Sequence, residues 1–291
     1  ELAAQGLPLE LRMLPIIESA LNPNAVSRMG ATGLWQFMYG TGKSYGLEIT
    51  SFVDQRRDPV AATKAACRFL KDLYNMYNDW TLAIAAYNCG PGNVNKALKR
   101  AGADAKTFWD VYPYLPRETR GYIPAFIGAT YAYTFHQQHG IEPIAAAVPI
   151  ATDTLHVCRL MHFEQISSTL GTPIEAIREL NPQYRMDIIP AVENKTYVLT
   201  LPQSDMARYI NHEQEIHAKD SVYLAQYLKK DVKITAAALQ TASVVHRVKS
   251  GDTLGAIARK YGVTVNQLVQ WNNLKSASSI LSIGQRIQIH K

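Results

Sequence analysis

The sequence predicts an α+β multidomain protein, an all-α N-terminal domain followed by small βααβ modules, on three observations. Helical apolar spacing, broken by Gly and Pro, fills the first 140 residues, where alternating strand patterns are almost absent. After Pro149 the character changes, and residues 155–182 run parallel to 246–273 at a constant offset of 91. Charge marks the same division: the whole excess of +6 lies in residues 244–291, with seven basic groups against one acidic. The expected division is 1–148, 149–203, 204–243 and 244–291.

A chain of 291 residues with 47% hydrophobic content suits about two domains, or one domain with small modules, and is too apolar for disorder. No stretch approaches the roughly 20 apolar residues of a bilayer helix. Cys67, Cys89 and Cys158 are odd in number and far apart, which argues against a disulfide framework or zinc ribbon and for free thiols. The start at Glu1 lacks Met and an apolar signal core, so it reads as processed; membrane attachment is expected only through such a removed segment.

Each element has its own signal. Pro8 suits a first helical position, and Pro15 should segment the helix of Leu11, Leu14 and Ile17 just before Glu18. Asp58-Pro59 reads as a cap and first turn of a helix over 58–77, with Val60, Cys67, Leu70 and Tyr74 on one stripe. Residues 80–89 form a short apolar helix ended by Gly90, another starts near Asn93, and 119–138 form a further one. In the repeats Val157 matches Val248, Gly171 matches Gly262 and Asn181 matches Asn272, giving a strand–helix–helix–strand plan twice. The first copy is degenerate, with Leu160-Met161-His162 where the second has Gly251-Asp252-Thr253. Ser204 or Asp205 could cap a helix to about His217, and the rest up to 243 reads as linker.

The chemistry-bearing residues cluster in the first domain. Glu18 closes an apolar run, where lost hydration favours its protonated form and raises its pKa towards that of a general acid. Gln36, among Leu34, Trp35 and Phe37, must satisfy backbone groups or face a ligand. Tyr87 and Asn88 end a helix just before Gly90; core packing by Tyr87 and a cap by Asn88 are the plainer alternatives. Cys89 beside them reads as a packing residue, since no His is near in sequence. His136 and His139 lack companions at ligand spacing, so neither metal nor cofactor is expected.

Glu18-Ser19, Gly33-Leu34-Trp35-Gln36-Phe37, Ala86-Tyr87-Asn88-x-Gly90 and Tyr122 in Gly121-Tyr122-Ile123-Pro124 together resemble the soluble lytic transglycosylase catalytic domain, of the lysozyme-like superfamily. Residues 246–290 resemble a LysM module, through Gly251-Asp252-Thr253-Leu254, Tyr261-Gly262-Val263-Thr264 and Gly284-Gln285-x-Ile287. The resemblance implies cleavage of the β-1,4 bond between N-acetylmuramic acid and N-acetylglucosamine, leaving a 1,6-anhydro sugar. It implies Glu18 as sole acid and base, Ser19 orienting the carboxyl or the N-acetyl group, and Gln36, Tyr87, Asn88 and Tyr122 holding sugars and the Glu18 rotamer. In the LysM module it implies a shallow N-acetylglucosamine groove from Gly251, Asp252 and Thr253 and the loop around Ser279–Ser282 with Ile280; Asp252 or Thr253 would also cap the following helix.

Most glycosidases flank the bond with two carboxylates. No Asp or Glu occurs from Ser19 to Leu47, which favours a single acid/base unless Glu48, Asp54 or Asp58 folds back. A goose-type lysozyme hydrolase and a non-catalytic peptidoglycan-binding protein are the alternatives. Nucleic acid is not an expected partner, because the basic tail lacks a reader motif. The resulting expectation is a monomer on peptidoglycan strands in the bacterial cell envelope, periplasmic or anchored to the outer membrane, with the degenerate module as scaffold or weakened sugar site.

Overall fold

Two short helices, α1 (Leu14–Ser19) and α2 (Tyr39–Ser44), precede the long α3 (Pro59–Tyr77) in the computed structural model. The structure describes residues 1–144, 151–228 and 243–290, except 250, 273, 275, 277–280, 282 and 283. A 3-10 stretch, Leu9–Met13, leads straight into α1, so the break falls at Met13 rather than nearer Glu18. Pro15 occupies the first turn, where its missing N–H leaves no bond unmade. Pro8 precedes the 3-10 stretch in extended conformation instead of opening a helix.

Asp58 caps α3 as its sequence dictates, accepting from the Val60 and Ala61 amides at 2.9 Å each. The buried face is Ala62, Ala65, Ala66, Cys67, Leu70 and Leu73; Val60, expected on that face, is exposed in the first turn. This alanine-rich face packs on α4 (Trp80–Cys89), in which Leu82 to Ala86 are all buried. A helix buried on every side carries no amphipathic stripe, which is why α4 reads as a plain apolar run. Gly90 stops it at φ +84°, and α5 (Pro91–Ala101) starts at once, two residues before the expected Asn93. After α6 (Phe108–Val111), α7 (Arg117–Thr134) packs across α1 and α4. That crossing brings Tyr122 to Glu18.

Next comes the first βααβ module: β1 (Thr152–Val157), β2 (Met161–His162), α8 (Phe163–Leu170), α9 (Ile174–Leu180), β3 (Ile188–Ile189) and β4 (Tyr197–Pro202). β1 runs antiparallel to β4 from Thr152 opposite Pro202 to Val157 opposite Tyr197, and β2 pairs with β3. Tyr197, Leu199 and Leu201 point inward, as the period of two demands. α10 (Gln203–Ala218) packs on this module and adds Tyr209 and Ile216 to its core. Neither Ser204 nor Asp205 caps it: Asp205 turns inward to accept from Thr172 at 2.7 Å and from Arg208 at 2.9 Å. Two one-turn helices, α11 (Asp220–Tyr223) and α12 (Ala225–Leu228), follow, and residues 229–242 of the expected linker lie outside the described residues.

The second module repeats the plan with β5 (Ser243–Arg247), α13 (Leu254–Tyr261), α14 (Val265–Trp271) and β6 (Arg286–His290), β5 antiparallel to β6. Both helices start and stop at the offset of 91 read from the sequence. Gly171 and Gly262 end the first helix of each copy in the left-handed region, at φ +72° and +69°. Asn181 donates to the carbonyls of Ile177 and Thr200 and accepts from the Thr200 amide; Asn272 does the same with Leu268 and Gln288. Each Asn therefore fastens the second helix to the last strand. In the degenerate copy His162 caps α8, while Met161, in the place of Asp252, is fully buried.

The first module also grips the helical domain. Val53 pairs with Tyr184 as an antiparallel bridge, flanked by Asp54 N to Gln183 O (2.8 Å) and Arg185 N to Phe52 O (2.7 Å). Glu48 accepts from Lys195 at 2.6 Å and from Tyr197 at 2.9 Å. Because Asn181 is buried, Asn181→Ala strands both polar groups of Thr200 and is expected to destabilise the module by about 1–3 kcal/mol. Hydrogen exchange over β4 measures this, and exchange unchanged from wild type would contradict the clamp.

Candidate active site

Glu18 sits in the last turn of α1, after which Ala20 and Leu21 turn the chain away in the left-handed region at φ +50° and +63°. Its half-buried carboxylate accepts a short hydrogen bond from the Tyr122 hydroxyl of α7. Burial raises the pKa of Glu18 above its ordinary value; the Tyr122 bond opposes this, and the negative charge of Glu118 adds to it. The C-terminal end of a helix also disfavours a negative charge. The net result is an acid that holds its proton to higher pH than a free glutamate. Burial, and then the neighbouring Glu18, raise the pKa of the Tyr122 phenol well above the usual range, so it stays a donor.

The other predicted residues are brought to the same place, with one difference. Glu18, Gln36, Tyr87, Asn88 and Cys89 line one cleft of about 780 Å³, together with Arg28, Met38 and Pro91. Gln36, at φ +48°, donates its amide to the carbonyls of Ala25 (3.2 Å) and Gly33 (2.9 Å), so it both satisfies backbone and borders the cleft. The Tyr87 hydroxyl donates to Trp35 O at 2.7 Å, and Asn88 accepts from Thr119 at 2.9 Å. Ser19 does not orient the carboxyl. Its hydroxyl contacts the carbonyls of Pro15 (3.1 Å) and Leu34 (2.9 Å), fastening α1 to the Gly33–Phe37 loop. Gly33 is required there: at φ +89° an added Cβ would meet Arg56 O at 1.7 Å. Burial pushes the Cys89 thiol up, away from the reactive thiolate.

The three carboxylates closest beyond the gap in sequence are committed elsewhere: Glu48 to Lys195 and Tyr197, Asp54 to Arg56 and Arg185, and Asp58 to the α3 cap. The acid that shares the cleft is Glu118, exposed at the start of α7, which sequence reasoning missed. Its signal was its place one helical turn before Tyr122, facing the same side. Arg28 was missed as well.

In the last module Thr253 caps α13 by accepting from Ala256 N, whereas Asp252 accepts from Lys249 N and pairs with His246 at 2.7 Å. Gly251 makes the turn at φ +88°. Ile280 and most of Ser279–Ser282 lie outside the described residues, so the second wall of the expected groove does too.

An acid with a raised folded-state pKa costs no stability below the ordinary value of 4.5 and progressively more as pH rises through its folded pKa. Glu18→Gln is therefore expected to melt above wild type at neutral pH, with the gap narrowing as pH falls through the folded pKa and closed below about 4.5. Thermal melts across pH check this; a gap that widens on acidification would contradict a desolvated Glu18.

Three family models match in chain order. They are the transglycosylase SLT domain over residues 2–109, the LysM-like domain of lytic transglycosylase MltD over 151–218, and the LysM domain over 246–290. The membrane-bound lytic murein transglycosylase D of Escherichia coli K12 is 31% identical over 288 residues, covering 98% of this chain and 60% of that protein. The soluble lytic murein transglycosylase of the same strain is 35% identical over 113 residues, 36% of this chain and 17% of that one. Among solved structures, an inactive mutant of lytic transglycosylase Slt from Pseudomonas aeruginosa aligns at TM-score 0.40 and 27% identity, over 50% of this chain and 24% of that chain. The chain thus carries a transglycosylase SLT domain, an MltD-type LysM-like domain and a LysM domain in that order, and spans 60% of the length of the Escherichia coli relative that it resembles.

Proposed function

We propose that this chain is a peptidoglycan lytic transglycosylase that cleaves the β-1,4 bond between N-acetylmuramic acid and N-acetylglucosamine and leaves 1,6-anhydro-muramyl ends. The observation that carries the reading is the desolvated, Tyr122-bonded carboxyl of Glu18 in a cleft lined by Gln36, Tyr87 and Asn88. Glu18 gives its proton to the glycosidic oxygen as the C1–O bond breaks, and the N-acetylglucosamine leaves with its 4-hydroxyl restored. The acetamido oxygen of the muramyl sugar steadies the charge at C1. Glu18, now a carboxylate, takes the proton of the C6 hydroxyl as O6 closes on C1, which returns the acid without consuming water. Tyr122 holds the carboxyl through both proton transfers, and Gln36 and Asn88 meet the sugars.

The LysM module tethers the enzyme to glycan, raising the effective concentration of substrate at the cleft. A peptidoglycan substrate places the chain in the bacterial cell envelope, in the periplasm or at the outer membrane; no described helix is long and apolar enough to cross a membrane.

Glu118 favours a second reading, a hydrolase in which it acts as base for an attacking water. Mass spectrometry of digested peptidoglycan separates the two. Anhydro-muramyl ends are expected from wild type, lost at least about 1,000-fold in Glu18→Gln and retained in Glu118→Gln. In Glu118→Gln the alkaline limb of the activity profile should move to lower pH, because a charge that raises the Glu18 pKa is gone. Reducing ends from wild type, abolished equally by either substitution, would establish the hydrolase.

A further inference from the structure

Arg185 belongs to the LysM-like module, yet its guanidinium is bonded into the helical domain. Its Nη2 donates to Asp54 Oδ2 at 2.7 Å. Asp54 is fully buried and takes its other bonds from Arg56: Nε to Oδ1 at 2.9 Å, Nη2 to Oδ2 at 2.8 Å and the backbone amide to Oδ1 at 3.2 Å. Arg56 in turn donates through Nη1 to the carbonyls of Gly30 (3.1 Å) and Phe37 (3.3 Å). Those carbonyls bracket the turn that presents Gln36 to the cleft, across which Thr32 pairs with Phe37. The Arg56 backbone presses on Gly33 in the same turn.

Burial alone would push the Asp54 carboxyl up, but the bonds and charges of Arg56 and Arg185 outweigh it and hold the group below the ordinary carboxylate range. A bidentate arginine–carboxylate pair fixes direction as well as charge. The route from module to cleft loop is therefore an unbroken chain of charge-assisted bonds. The module's own loop argues in the same direction, since the counterpart of Asp252 is the buried Met161, which no ligand reaches.

We propose that Arg185 is a positioning residue, through which the LysM-like module holds the Gly30–Phe37 loop, and with it Gln36, in working geometry. This rests on the reading of the cleft as a glycan-cleaving site. Glu48 with Lys195 and Tyr197 fastens the same module to the same segment without a bond leading on to the cleft loop, and so supplies an internal control.

The test uses the full chain with Arg185→Ala, Arg185→Lys and Lys195→Ala; Arg185→Gln replaces the first if that variant does not fold. Arg185→Ala is expected to speed hydrogen exchange over residues 30–37 and to lower kcat on peptidoglycan about tenfold, with KM within about twofold. Arg185→Lys should recover part of both changes, and Lys195→Ala should leave both near wild type. Unchanged exchange and kcat in Arg185→Ala would overturn the proposal. So would a raised KM at constant kcat, the mark of a glycan anchor, or equal effects of Lys195→Ala and Arg185→Ala. Exchange is read without substrate, so a wild type that yields no anhydro ends would refute the proposed activity while exchange still decides the role of Arg185.

Discussion

The contact on which the rest of the site depends is the one between the Glu18 carboxyl and the Tyr122 hydroxyl. It joins the end of a six-residue helix to the second turn of another more than 100 residues later, so it exists only because α7 crosses α1 and α4. Two opposing influences meet there. Loss of water drives the carboxyl towards its neutral form, and the phenol pulls it back towards the charged one, with burial the larger. A group balanced in this way can release a proton to a leaving oxygen and recover one from a hydroxyl within the same turnover. Glu118 tips the balance further towards the acid.

The two βααβ modules show one fold serving two purposes. Both retain the glycine that ends the first helix and the asparagine that clamps the second to the last strand, since those residues maintain the fold itself. They differ where the fold does not dictate the residue. The second copy presents Gly251-Asp252-Thr253 in a turn organised by His246, while the first buries Met161 and spends its surface on the Glu48–Arg57 segment of its neighbour. Tyr184 and Val53 lie in a common core, so this contact is packed as well as charged.

Much of this was legible in the sequence because it is local. Asp58-Pro59 starts one helix and Gly90 ends another through their immediate neighbours in the chain, and the offset of 91 carried through both helices of the two modules, shifting only at the last strand, where Gln288 stands for Thr200. The cleft residues Glu18, Gln36, Tyr87, Asn88 and Tyr122 were found as a set through resemblance; spacing alone left each with a plainer explanation. What escaped depends on tertiary approach. Ser19 was assigned to the carboxyl or the substrate N-acetyl group, but its hydroxyl fastens a loop 15 residues ahead, and Val60 fell on the wrong side of a first turn that the core does not reach. Glu118 lies in a segment with no acidic neighbour to pair with in sequence, and only the crossing of α7 carries it to the cleft. Arg185 and Asp54, 131 residues apart, gave no local sign of each other.

The central claim is that Glu18 is a desolvated acid, and carboxyl-carbon NMR titration of the glutamate side chains measures that most directly. A midpoint for Glu18 above 4.5, rising further in Tyr122→Phe as the opposing bond is removed, is the result this account requires. A midpoint at or below 4.5 in wild type would mean that the group is hydrated and ionised at rest and cannot be the proton donor, and one indifferent to loss of the Tyr122 hydroxyl would contradict the bond between them.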